Sequence, residues 1–197
     1  NKSKVTECEK CLNKDKSIFC NIHGTVINDI DNKKVVNTFK KGQNLFFQGN
    51  PPFGIYCIKS GKIKISKSGT EGKESIVRIA GPGDILGHRS LFSSENYNAT
   101  ATIIEDAVVC FIDKHLIYEK MKEEPTLSLN IIHKLSIEMG TAETKTASMF
   151  QKDVTERLAE FLLSLMKTYG VEENGRCRLD IKLTREEIAS LVGTANE

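Results

Sequence analysis

The 197 residues are enough for one large or two small domains with real cores, and 39% hydrophobic with 27% charged residues is the ordinary balance of a soluble globular chain. The longest apolar runs are as short as AVVCFI (107–112), which excludes a membrane-spanning helix, and no apolar segment follows the first lysines, which speaks against a secretory signal; a cytoplasmic protein with no membrane partner is expected. The net charge of +2 hides an asymmetry, because residues 1–116 carry 17 Lys/Arg against 12 Asp/Glu whereas residues 117–197 carry 11 against 14; a nucleic-acid role for the second part must explain its acidity.

In chain order the first feature is CEKCLNKDKSIFCNIH (8–23), which places three of the six cysteines and a histidine in a leader rich in lysine and asparagine. Without a secretory signal, reduced thiols or metal ligation are expected rather than disulfides. Cys8, Cys11, Cys20 and His23 have the spacing C-x2-C-x8-C-x2-H, two knuckles able to satisfy a structural tetrahedral zinc; three idle thiols are the plainer alternative.

Nine of the fourteen glycines then fall between Gly42 and Gly87, punctuating NLFFQ, GIYCIKS, KIKISK and ESIVRIA, with NATATII and AVVCFI following. Short β-branched and aromatic runs with glycine turns predict a compact all-β roll, with no helix of normal length between Phe39 and Ile112. Cys57 and Cys177 read as plain strand residues.

From about His115 the texture turns helical. Pro125 suits the first turn of a helix, and Ile132, Leu135, Met139, Ala142, Thr146 and Met149 recur at steps of three and four, an a/d seam of about three heptads. Such a helix either packs on its own roll or pairs with a second copy, and its length favours the dimer. Asp153 and Glu156 form a capping pair ahead of an apolar face that runs to Tyr169, with Gly170 as the stop. After the loop VEENG, RCRLDIKL alternates like a strand. In LTREEIASLVGTANE (183–197), Thr184 and Glu187 make a second capping box and Gly193 a sharp turn, which is a helix-turn-helix pattern. No nucleophile–base motif, P-loop or dinucleotide fingerprint occurs, so no enzyme and no catalytic residue is expected.

KKGQNLFFQGN (40–50), SGKIK (60–64), GPGDILG (81–87), DVTERLAEFL (153–162) and LTREEIASLVGTANE, in that order, resemble the CRP/FNR superfamily of bacterial transcription regulators across essentially the whole chain. The resemblance implies an α+β protein: a cysteine-bearing arm (1–24), a cyclic-nucleotide-binding-type β-roll (25–115), a dimerisation helix region (116–150) and a winged helix-turn-helix (151–197). The last is expected to be incomplete, because Glu197 falls in the first turn of the recognition helix. It further implies homodimers on palindromic DNA and contact with RNA polymerase, with Thr194, Asn196 and Glu197 facing the DNA; a carboxylate at Glu197 would accept from cytosine N4.

Cyclic-AMP-binding members use a glycine–glutamate pair for the ribose and an arginine–serine pair for the phosphate. Here those positions are Gly87, His88, Asn98 and Ala99, and Arg89 is displaced by one residue, so cyclic AMP is not the expected effector, although another ligand could use this pocket. Oxygen-sensing members hold a [4Fe–4S] cluster on three N-terminal cysteines and one from the last strands of the roll. The matching residues are Cys8, Cys11, Cys20 and Cys110, with a Cys11–Cys20 spacer of eight residues, longer than the family gap. Zinc, with His23 as fourth ligand, is the rival reading.

Overall fold

The structure is a computed structural model that describes residues 8–69, 74–173 and 175–194. It divides into two compact units at Ile137/Glu138.

The first unit opens with two 3-10 turns, Cys8–Lys10 and Lys14–Lys16, and helix α1 (Gly24–Lys33), followed by strands β1 (Val35–Phe39), β2 (Asn44–Phe46), β3 (Gly54–Ser68), β4 (Glu74–Ala80) and β5 (Ile85–Leu86). Helix α2 (His88–Ser93), strand β6 (Thr100–Asp113), helix α3 (Lys114–Glu123) and the 27-residue α4 (Pro125–Gln151) follow. The strands make one antiparallel sheet in the order β1-β6-β3-β4, with β2 added to β6 and β5 to β3. Two pairs of sequence runs each merge into one long strand. GIYCIKS and KIKISK are both β3, and NATATII and AVVCFI largely coincide with β6.

Strands of this length must bend to close a roll. The bend sits at Gly61, where the β3–β6 register shifts repeatedly between Ile58 and Ile63. Gly61 has φ +88°, and a Cβ there would stand 2.5 Å from the Asp106 carbonyl and 2.6 Å from Ala107 Cα, so only glycine allows the crossing.

Two apolar cores result. Phe46, Ile58, Ile63, Leu86, Tyr97, Ala101 and Val109 fill the roll, with Phe46 and Tyr97 stacked at 4.0 Å. Ile18, Phe19 and Ile22 of the arm pack with Ile27 and Ile30 of α1, Ile55 and Ile112 of the sheet, Ile117 of α3, and Leu127 and Ile131 of α4. The arm is therefore built into the fold, since burying each such side chain stabilises by about 1.5–3 kcal/mol. Helix α1 is a difference from the sequence expectation, which ran the roll from residue 25. Its buried Val26, Ile27 and Ile30 have helical spacing.

The second unit holds the last part of α4, helix α5 (Val154–Tyr169), the hairpin β7 (Gly170–Glu173) and β8 (Arg176–Leu179), and α6 (Arg185–Val192). Both expected capping boxes are formed: Asp153 accepts from the Glu156 amide, Thr184 accepts from the Glu187 amide, and each glutamate reaches back. VEENG is not simply a loop, because residues 171–173 pair with β8 and the alternating stretch ends as a strand at Leu179. Gly170 ends α5 with an ordinary φ of −73°. It is needed for room, because a Cβ would run into the Met166 carbonyl and Cys177 Sγ. Among the described residues no helix is long and apolar enough to cross a membrane.

Candidate functional site: the cysteine pocket and the helix beside it

A pocket of about 50 Å³, room for more than one water, opens between the arm and the sheet. Cys8, Cys11, Cys57 and Cys110 line it, together with Lys14, Lys34 and Lys59. Cys57 and Cys110 are directly opposed on β3 and β6, so their side chains share a face. Cys8 and Cys11 come from the first 3-10 turn and the residue after it. The Cys8 amide donates to Asp31 Oδ1 at 2.8 Å and Lys34 Nζ donates to Cys8 Sγ at 2.9 Å, while Lys34 also pairs with Asp31. Asn13 Nδ2 donates to the Lys59 carbonyl at 2.8 Å and pins the arm to β3.

Burial dominates the thiol chemistry. It pushes Cys8 up to about 11 against the pull of the Lys34 ammonium, and raises Cys57 and Cys110, with neighbouring thiols adding to both. These thiols are protonated at neutral pH unless a cation takes the place of the protons. Among the described residues, no three His, Cys, Asp or Glu side chains stand in a metal-coordinating arrangement. As a donor set, though, four thiols ringed by lysine ammoniums fit a thiolate-ligated, negatively charged centre such as an iron–sulfur cluster.

Of the expected ligands, Cys8, Cys11 and Cys110 are brought to one pocket and Cys20 is not. Cys20 lines a neighbouring pocket with Asn130, His133 and Lys134 of α4. It sits between Phe19 and the fully buried Ile22, and its carbonyl accepts from Asn130 Nδ2 at 2.8 Å, so its backbone is tied to α4. His23 is also elsewhere. Its side chain is 66% exposed, and Nδ1 lies 2.8 Å from Glu9 Oε1. Cys57 is the residue that sequence reasoning missed. The signal lay in pairing register, since nothing local in IYCIK marks it as the neighbour of Cys110.

In the roll, Gly87 takes φ +81° ahead of α2, and a Cβ there would crowd the Gly54 carbonyl and the Tyr97 ring. His88 and Ala99 are buried, whereas Arg89 and Asn98 are exposed. Neither pocket described above is lined by any of these five residues.

Helix α4 starts in the core and ends exposed. Asn130 Nδ2 also donates to the Ile18 carbonyl at 2.9 Å, and Lys134 Nζ pairs with Asp84 Oδ1 at 2.7 Å, so α4 grips both the arm and the GPGD turn. Of the expected seam, Ile132 (58% exposed), Met139 (64% exposed), Ala142 and Thr146 face solvent. Leu135 leans on the first unit's core, and Met149 packs against the turn at Gly193. Ser136 and Thr146 satisfy their hydroxyls on the carbonyls one turn back, so an apolar partner would meet no unpaired donor there.

At the far end of the chain, Arg157 Nε donates to the Val192 carbonyl at 2.9 Å and Nη1 to the Lys152 carbonyl at 2.7 Å, locking α5 to the turn after α6. Gly193 supplies that turn with φ +76°, and the Thr194 amide caps α6 on the Ala189 carbonyl at 3.0 Å. Thr194 is exposed; Asn196 and Glu197 lie outside the described residues.

Comparison with known proteins agrees with this architecture. Residues 36–124 match the cyclic nucleotide-binding domain, and residues 156–197 match the Crp-like helix-turn-helix domain. The CRP-like cAMP-activated global transcriptional regulator of Mycobacterium tuberculosis is 31% identical over 159 residues, which span 81% of this chain and 71% of the relative. The chain belongs to the CRP/FNR family. Among its CRP/FNR relatives is the anaerobic regulatory protein of Bacillus subtilis, 28% identical over 80% of this chain and 67% of that protein. The fold also matches the c-di-GMP-responsive global regulator CLP of Xanthomonas campestris, with a TM-score of 0.72 at 19% identity over 86% of this chain and 84% of that one. The protein is thus a CRP/FNR-type transcription regulator, of a family whose helix-turn-helix members bind DNA and act as dimers.

Proposed function

We propose that the protein is a homodimeric, sequence-specific DNA-binding regulator that reads a redox signal through a [4Fe–4S] cluster at the cysteine pocket. The carrying observation is that Cys110, far from Cys8 and Cys11 in sequence, lines with them one lysine-rimmed pocket between the sheet and the arm that α4 grips. When bound, the cluster supplies sensitivity to oxygen. The chain's own residues do the rest: Asp31 and Lys34 hold Cys8, and Asn13 holds the arm to β3. Asn130 passes any displacement of residues 18–20 to α4.

The zinc reading draws less support, because His23 is engaged with Glu9 at the surface. Cyclic AMP is disfavoured too. The residues at its anion-binding positions, Asn98 and Ala99, offer no charge, and the stacked Phe46 and Tyr97 fill the roll beside Gly87.

Ile132 and Met139 form the dimer seam, with Ala142 and Thr146 continuing it; two-fold symmetry then matches a palindromic operator with half-sites about one helical turn apart. Thr194, Asn196 and Glu197 are the DNA-facing candidates, and RNA polymerase is the partner the family resemblance adds. The test is sedimentation of Ile132→Glu/Met139→Glu beside wild type. Dimeric wild type and a folded, monomeric variant that has lost palindrome binding support the reading; an unchanged dimer refutes the seam.

A further inference from the structure

Resting on the cluster reading above, we infer that the fourth thiolate of the metal site is Cys57, and that Cys20 is not a ligand. Two of the four sulfurs then come from adjacent strands. Cys57 and Cys110 are register partners on β3 and β6, at the separation cross-strand side chains share, and both open into the pocket. Both belong to the regular run of β3–β6 pairs from Gly54↔Asp113 to Ile58↔Val109. They form a rigid half-site, and the turn carrying Cys8 and Cys11 closes over it.

Cys20 cannot join this set without dismantling the arm. Its neighbours Phe19 and Ile22 are sunk in the core, its carbonyl is held by Asn130, and it lines the other pocket together with His133 and Lys134. The eight-residue spacer between Cys11 and Cys20 follows from this arrangement. It lets the chain run along the cysteine pocket, with Asn13, Lys14, Ser17 and Phe19 in its lining, through the turn at Lys14–Lys16 to the buried Ile18 and Phe19, and Cys20 follows outside that lining. The four sulfurs would hold the group as thiolates, their protons released to solvent, with the Lys34 ammonium as a donor to the Cys8 sulfur. Cys20 thus has a different place, where the arm meets α4.

The test measures iron, acid-labile sulfide and zinc per chain in protein isolated without air, for wild type, Cys57→Ser, Cys57→Ala and Cys20→Ala. Circular dichroism confirms that each variant is folded, and the two Cys57 variants together separate ligand loss from an intolerance of one replacement. The expected result is at least a tenfold loss of metal in both Cys57 variants, and wild-type content in Cys20→Ala. Retention of metal by a Cys57 variant, or its loss from Cys20→Ala, overturns the assignment while leaving the cluster reading intact. Zinc in place of iron and sulfide, with the same dependence on Cys57, upholds the ligand set and refutes the cluster. Metal-free wild type refutes both.

Discussion

Replacing Asn130 by alanine removes the two hydrogen bonds by which α4 holds the carbonyls of Ile18 and Cys20. Both bonds are partly buried. A typical intramolecular hydrogen bond contributes about 0.5–1.5 kcal/mol net, so the pair is worth about 1–3 kcal/mol, towards the lower end where water reaches the freed oxygens. The apolar anchors Ile18, Phe19 and Ile22 remain, so the molecule should stay folded while the arm opens locally more often. Hydrogen exchange read by mass spectrometry on peptides covering residues 17–23 should show protection reduced about 5- to 150-fold, with the β3–β6 core unchanged. Unchanged protection of the arm, or an equal loss across β3 and β6, would refute the idea that this side chain is the link between arm and α4.

Arg157→Ala should loosen the helix-turn-helix unit by about 1.5–3 kcal/mol, because its guanidinium joins the carbonyls of Lys152 and Val192. A lowered midpoint for the second unit in thermal unfolding, with the first unlike it in being unaffected, is the expected readout. Asp29 accepts from Lys120 Nζ at 2.7 Å, and this hydrogen bond holds its carboxyl below the usual range. A depressed carboxyl stabilises the fold above its unfolded value of about 3.9 and loses that contribution as pH falls through the lower native value. Wild type should therefore lose more stability than Asp29→Asn when denaturant unfolding is followed from pH 5 to pH 2; parallel curves would show the pair to be inert.

Much of this architecture was legible because its signals are local. Both capping boxes, Pro125 at the start of α4 and the glycine turn at Gly193 need only a few consecutive residues, and each stands where its chemistry requires. Glycine-punctuated β-branched runs likewise disclosed the roll, although not the joining of two runs into one strand, which depends on a bulge at Gly61 that only the partner strand explains.

The site was harder to read because it is made by register and packing. Cys57 becomes Cys110's neighbour through a β3–β6 pairing 53 positions apart, and no spacing rule along the chain contains that distance. Cys20 looked equivalent to Cys8 and Cys11 because the family resemblance calls for three N-terminal cysteines; in the fold it lines a different pocket, beside the buried Phe19 and Ile22. The heptad count fell on α4, where Ile132 and Met139 are exposed. Leu135 fits the same period, yet it sits where α4 still touches its own core. A three–four repeat alone does not distinguish a residue meeting its own core from one meeting a second copy.

If the cysteine pocket is the sensor, its chemistry is felt by α4. Hydrogen exchange on anaerobically isolated protein, before and after exposure to air, tests it most directly. Loss of metal should lower protection in residues 17–23 and in α4 from Leu127 to Leu135 together. Complete loss of metal with both segments equally protected throughout would contradict it.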